Sequence, residues 1–304
     1  MKNLLPVFAA ALLLASCAGK TAEKNSGSET KLAASNDSSK AAADTSKKVS
    51  GPIADAATII ARPQVPVLCY HHITEGTPKN DYTVNAETFR QQMQILADSG
   101  YHSILPDQYY NYLAYGTPLP SKPFMITFDD TDEEQFTIGK TEMDKHGFKG
   151  VYFIMTISIG RPRYMTKEQI KQLSDEGHTV ASHTWRHDRV DKYLTTPHID
   201  RDTKKIVNND WDLQLVDTRK KLEDIIGKEI HYFAYPFGVW KHEGIPEIQK
   251  RGIKMAFQLS DKRDPEYPLY TVRRVIVAPG WSAPGMLRVM RSAFKQFIAP
   301  ALLK

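Results

Sequence analysis

Short apolar runs of strand length alternate along this chain with longer stretches of helical period. The first run is 65–70, and the segment after Asn85 sets Phe89, Met93 and Leu96 on one helical face. Asn85 stands where an N-cap belongs, and Gly100 where a helix stop belongs. Further strands are expected at 101–105, 124–128, 151–155 and 179–182, with helical stretches such as 133–146 between them. Thr166 and Gln169 have capping-box spacing, which opens a helix ending at Gly177. A long amphipathic stretch over about 201–226 should stop at Gly227. Strands near 232–235, 255–259 and 272–277 follow, and a helix over about 284–297 closes the chain. Repeated βα alternation predicts an α/β fold, a distorted (β/α) barrel of seven or eight strands. It forms a single catalytic domain over residues 61–304.

The first sixty residues break this pattern. Lys2 precedes a short apolar stretch, 4–14, too short to span a bilayer, which ends in Leu14-Ala15-Ser16-Cys17. That ending resembles a bacterial lipobox and predicts a signal peptide over 1–16, cleaved before a lipidated Cys17. An ordinary secretory signal peptide is the alternative. Residues 17–60 then read as a polar tether with too few large apolar side chains to offset the entropy of ordering. The expected location is extracytoplasmic, lipid-anchored to a bacterial membrane. Ala18 gives no inner-membrane retention signal, so the outer membrane is expected where there are two. With Cys17 lipidated, Cys69 has no partner, and a buried inert thiol is expected. The net charge of +5 is modest, and pairs such as Lys220-Lys221 read as solvated helix faces, so no nucleic-acid partner is expected.

Two motifs carry chemistry. Thr127-Phe128-Asp129-Asp130-Thr131 sets two adjacent carboxylates at a strand end, and His183-Thr184-Trp185-Arg186-His187 sets two imidazoles four residues apart. One carboxylate and two histidines can hold a divalent metal with positions left open, leaving the second carboxylate as a base. Either motif alone is weak, because Asp130 or Thr131 could simply cap the next helix. Both follow predicted strands of one α/β domain, at the barrel end where catalytic residues gather.

These motifs, with Phe233-Ala234-Tyr235-Pro236-Phe237-Gly238 as a third in the same order, resemble the NodB-homology polysaccharide deacetylases of carbohydrate esterase family four. The resemblance spans roughly 65–280. It implies Asp130, His183 and His187 as metal ligands, usually for zinc, and Asp129 as general base. It implies Pro236, Phe237 and Gly238 at the substrate, with the Phe237 N–H facing the oxyanion. The products would be acetate and a glucosamine unit.

The departures also matter. Thr131 replaces the usual glycine, and Ala234 replaces the arginine that orients the base. Arg273 or Arg274 could supply that charge from a late strand, with Arg274 the choice. No histidine occupies the late region where the family keeps its general acid, whereas Tyr70-His71-His72 follows the first strand. This is similar to the subgroup acting on poly-N-acetylglucosamine, and it points to His71 as the acid. Trp281 is a loop candidate for stacking on sugar, Trp185 a weaker one, and His178 reads as structural.

The expected function is therefore metal-dependent N-deacetylation of an extracytoplasmic polysaccharide, poly-β-1,6-N-acetylglucosamine first. Peptidoglycan or chitin-like oligomers are the alternative substrates. A sugar-binding lipoprotein without turnover, or a zinc-capturing one, is the alternative of another class.

Overall fold

A computed structural model of the protein describes residues 51–194, 198–199, 206–207 and 211–294. Cys17, the signal segment and most of the tether lie outside the described residues. Eight strands form the main path of one parallel sheet: β1 (Val67–Tyr70), β2 (Pro123–Phe128), β3 (Gly150–Ile154), β4 (Thr179–Ser182), β5 (Tyr232–Ala234), β6 (Met255–Gln258), β7 (Val272–Arg273) and β8 (Val275–Ile276). Their spatial order is β7-β6-β5-β4-β3-β2-β1-β8, and His102–Ser103 pairs beside the start of β2.

Only Arg274 separates β7 from β8, yet they stand at opposite edges of that path. β7 pairs with β6 (Phe257 opposite Val272) and β8 with β1 (Leu68 opposite Val275). The Arg274 N–H donates to the Gln258 carbonyl at 2.9 Å, and the Val277 N–H to the Cys69 carbonyl at 3.0 Å. One extended segment therefore bonds both edges and nearly closes the sheet into a barrel, as the alternation predicts. The expected strand over 272–277 is thus split at Arg274, where the chain changes partners.

Strands covered on both faces need no polar alternation, and every residue of β1, β2 and β3 is buried. The two faces still differ. Leu68, Tyr70, Phe124, Ile126, Phe128, Tyr152 and Ile154 join one core cluster under the helices. Val67, Met125, Val151 and Phe153 join the other. Period-2 parity then places Cys69, Thr127 and Asp129 on the second face.

Among the helices that pack outside are α1 (Ala86–Asp98), α2 (Lys167–Asp175), α3 (Thr218–Ile226) and α4 (Ala283–Ala293). Asn85 caps α1 by accepting from the Glu87 N–H at 2.9 Å, and Phe89, Met93 and Leu96 are buried. Thr166 and Gln169 make the reciprocal capping box of α2. The Tyr70 hydroxyl donates to Gln92 of α1 at 2.8 Å and lies 3.5 Å from the Met286 sulfur of α4, joining sheet, first helix and last helix.

Three expectations change. The run 101–105 yields only His102–Ser103, because it reaches β2 at the sheet margin alone. The stretch 201–226 is not one helix. Ile206–Val207 pairs antiparallel with His198–Ile199, and the described helix starts with a π turn at Asp212–Asp217 that runs into α3. The stretch 133–146 likewise opens as a π-helix, Gln135–Lys140, before the α-helix Thr141–Lys145. Such widened turns redirect a side chain, and Gln135 at the start of this one points into the site.

Candidate active site and metal centre

Asp129 is the first residue beyond β2, and its N–H still donates to the Tyr70 carbonyl at 3.0 Å. Strand parity sends its side chain into the barrel, where it is 2% exposed. Arg274 enters from the seam between β7 and β8. Its two terminal nitrogens donate to the two carboxylate oxygens of Asp129 at 2.6 and 2.7 Å. The guanidinium also reaches Thr127 Oγ1 at 3.2 Å and lies 5.1 Å from the Phe153 ring centre. Such a bidentate fork fixes the carboxylate plane as well as its charge. Burial alone would raise the Asp129 pKa, but Arg274, His183 and His71 together hold it well below the usual carboxylate range. Between the two arginine candidates, parity decides. Arg273 faces outward, donating to the Ala293 carbonyl and pairing with Asp261.

Asp130 goes elsewhere. It and Thr131 both have positive φ, 76° and 74°, so neither is an ordinary helix N-cap. The left-handed backbone that a glycine would adopt freely is kept here by threonine, at a cost of about 1–3 kcal/mol. Its buried hydroxyl accepts from the Met155 N–H at 2.8 Å, which ties the motif to the end of β3. This turn brings Asp130 Oδ1 to 3.5 Å from Nε2 of both His183 and His187. His183 follows β4, and its Nδ1–H donates to the Ala234 carbonyl at 2.8 Å, leaving Nε2 to face the carboxylates. His187 has φ of 62°, a second left-handed turn that folds the histidine motif back on itself.

The three ligand-type atoms lie within 4.8 Å of one another. Asp130 Oδ1 and His183 Nε2 are buried without a hydrogen-bond partner. Four ligands at zinc distances in a tetrahedron stand about 3.3 Å apart, close to the spacing seen here. Burial opposes a charge on His183, yet the carboxylates of Asp129 and Asp130 outweigh it and raise its pKa. Burial and His183 instead push His187 down to about 4, keeping it neutral as a ligand must be. The group fits a divalent cation. A second cluster, Cys69, His71 and Asp129, is equally compact. It fits poorly, because Arg274 takes both Asp129 oxygens and burial drives the Cys69 thiol far up, away from the thiolate a metal needs.

His71 approaches the same Asp129 oxygen as His183, with Nε2 3.9 Å from Oδ2 against 3.8 Å for His183. The His71 pKa is lowered, by burial first, against the pull of both aspartates. On the other flank, Phe237 packs its ring 4.4 Å from that of His187. Phe237 occupies the left-handed third position (φ 60°) of a turn closed by the Gly238 N–H donating to the Tyr235 carbonyl at 2.8 Å. Pro236 suits the second position. Gly238 is obligatory, since a Cβ there would stand 2.5 Å from Leu259 Cβ and φ is +66°. The turn's own bonds use the N–H groups of Gly238 and Val239, so the Phe237 N–H is not spent on them. Trp281 is less free than its loop suggested. It is half-buried against the core, and its carbonyl accepts from Gln92 at 2.8 Å. The Trp185 ring lies 5.2 Å from the Arg186 guanidinium.

Three contributors were given no role in the site by the sequence. Gln135 donates through Nε2 to the carbonyls of both His71 and Asp129, tying the acid and base candidates through one amide. Cys69 donates to Asp129 Oδ2 at 3.7 Å and touches His71 at 4.0 Å. His72 pairs with buried Asp132 behind the motif, an ion pair that raises the His72 pKa.

Fold and site together define an α/β-barrel enzyme with a hydrolase-type polar centre. Residues 116–256 match the family model for polysaccharide deacetylase. The matched stretch holds Asp129, Asp130, His183, His187 and Phe237, whereas His71 and Arg274 come from the flanks. The chain is 26% identical over 220 residues to YxkH of Bacillus subtilis, covering 72% of this chain and 73% of that one. It is 22% identical over 240 residues to the poly-beta-1,6-N-acetyl-D-glucosamine N-deacetylase of Staphylococcus epidermidis, covering 69% and 78%. Its fold matches the Streptococcus pyogenes deacetylase PplD, solved in complex with acetate, with a TM-score of 0.66 at 21% identity over 75% of this chain and 99% of that one.

Proposed function

We propose that this protein is a metal-dependent polysaccharide deacetylase that removes N-acetyl groups from poly-β-1,6-N-acetylglucosamine and releases acetate. The observation that carries the proposal is the separation of two adjacent carboxylates, Asp130 between two histidines and Asp129 in the fork of Arg274. A zinc ion held by Asp130, His183 and His187 supplies, when bound, Lewis-acid polarisation of the amide carbonyl and a more acidic water.

The protein's own groups do the rest. Asp129, fixed in plane by Arg274, takes the proton of the attacking water. The Phe237 N–H faces the oxygen that becomes negative in the tetrahedral intermediate. His71, whose Nε2 lies 3.9 Å from Asp129 Oδ2, gives the proton that lets the amine leave. The Staphylococcus epidermidis relative and the Tyr70-His71-His72 start support the β-1,6 polymer. Cys17 would carry the lipid that holds the enzyme outside the cytoplasm, at the outer membrane of a two-membrane cell.

The deciding experiment measures acetate release from β-1,6 and β-1,4 oligomers of N-acetylglucosamine, with and without chelator. Release that is stopped by chelator, restored by Zn2+ and faster on β-1,6 substrates is expected. Turnover untouched by chelator would remove the metal from the reading, and preference for β-1,4 oligomers would move the substrate to chitin-like or peptidoglycan chains. Binding of oligomers without any acetate would make the protein a sugar-binding module.

A further inference from the structure

Among the described residues only four large apolar side chains are exposed: Ile53, Ile60, Tyr82 and Phe237. Two of the four are aromatic, and both stand at the polar centre. The Tyr82 ring lies 5.2 Å from the ring of His71, and the Phe237 ring 4.4 Å from that of His187. They mark the two ends of one series of contacts running from His71 through Asp129, His183 and Asp130 to His187.

The strand order shows how far apart those ends are. Tyr82 sits against the residue that follows β1, and Phe237 lies just beyond β5. Counting around the sheet, β2, β3 and β4 lie between them. Four steps in an eight-strand barrel is half a turn, so the two rings rise from opposite walls of the mouth. At about 4.8 Å between strands and 36° of tilt, such a mouth is roughly 15 Å across at the backbone.

Neither ring is exposed by looseness of its backbone. The Tyr82 N–H donates to Asn80 Oδ1 at 2.9 Å, and its carbonyl accepts from the His72 N–H at 3.1 Å. The next residue, Thr83, starts the short strand Thr83–Asn85, paired with His72–Thr74. A half-exposed aromatic on a fixed backbone pays solvent exposure without an entropic excuse. Two isolated rings with a polar strip between them suit a sugar chain, whose pyranose units offer apolar C–H faces edged by hydroxyls. A membrane or protein surface would call for a continuous apolar patch instead.

We propose that Tyr82 is a sugar-stacking residue opposite Phe237, so that the enzyme grips a polymer on both sides of the acetamide it cleaves. This rests on the deacetylase reading above and adds its binding mode, an internal segment of the chain rather than a terminal sugar.

The test separates binding from turnover. Oligomers of β-1,6-linked N-acetylglucosamine, one to five units long, are titrated calorimetrically into the Asp129→Asn protein with Tyr82 intact or replaced. Tyr82→Ala should raise the pentamer Kd about tenfold, the scale of one aromatic stacking contact, with a much smaller change for the monosaccharide. Tyr82→Trp should restore pentamer binding. In the active enzyme Tyr82→Ala should raise KM for the pentamer with kcat largely kept. An equal fall of kcat at every length, with pentamer binding unchanged, would show that Tyr82 only packs on His71 and would overturn the proposal. If no oligomer binds either protein, the polymer reading itself fails and takes this one with it. Acetate release that is insensitive to length in both proteins would overturn the stacking role while leaving the deacetylase intact.

Discussion

Asp129 and Asp130 are neighbours in sequence and opposites in surroundings. Asp129 is sealed in the barrel against a fully buried arginine, with both oxygens bonded. Asp130 is turned to the mouth by a left-handed backbone, its side chain 23% exposed beside His187 at 24%, with one oxygen bonded to nothing. The first half is finished by the fold, and the second is left open, with a geometry that fits a cation. Two identical side chains therefore receive different work from burial and partners alone.

Five measurements press on that contrast. The largest effect is expected for Asp129→Asn, which should cut acetate release about 10³–10⁴-fold with metal content unchanged, as removal of a general base does. Loss of metal in that variant would erase the division between the halves. Next, His187→Ala should weaken metal binding by more than about 100-fold while thermal stability barely moves, since this half is open. Arg274→Leu should do the reverse. It leaves a buried unpaired carboxylate and should cost about 3–5 kcal/mol of unfolding free energy, much of it regained in the Arg274→Leu/Asp129→Asn double variant. Equal stability of single and double variants would mean that the fork holds no part of the closed half together.

Smaller effects sharpen the picture. His71→Asn should lower kcat about 10–100-fold with metal retained, and unchanged turnover would remove His71 as the acid. The last prediction lies outside both halves. His178 accepts from the Gly150 N–H at 3.0 Å, and burial pushes its pKa down to about 4. The unfolded chain therefore binds this proton more readily than the folded one. Its stabilising share is complete above about pH 6.5 and is lost as pH falls towards 4, roughly 3 kcal/mol in all. Denaturant titrations of wild type and His178→Gln across that range should converge at low pH. Parallel curves would show that His178 is not the group responsible.

How much of this was legible beforehand varies by residue. Asp129, Asp130, His183 and His187 stood out because motif spacing and strand ends are local properties. The caps at Asn85 and Thr166 were legible for the same reason. The choice between Arg273 and Arg274 was not. It depends on which of two adjacent side chains faces inward where the closing segment changes partners, and neither composition nor period carries that. Gln135 was invisible because a π turn, not an α-helical one, aims it at the carbonyls of His71 and Asp129. Thr131 looked like a departure from the family, and its hydroxyl bond to the Met155 N–H shows how the same backbone shape is kept without glycine.

By itself the sequence determined the βα alternation, the barrel it builds and the strand ends that hold the carboxylates and imidazoles, because period and capping act within a few residues. The tertiary structure alone decided how Arg274 forks both oxygens of Asp129, how His71 comes to face that carboxylate, and that two aromatic rings stand on opposite walls of the mouth. Those are relations between residues far apart in the chain, 145 positions for Arg274 and Asp129 and more for Tyr82 and Phe237, fixed by parity and by the order in which the barrel closes.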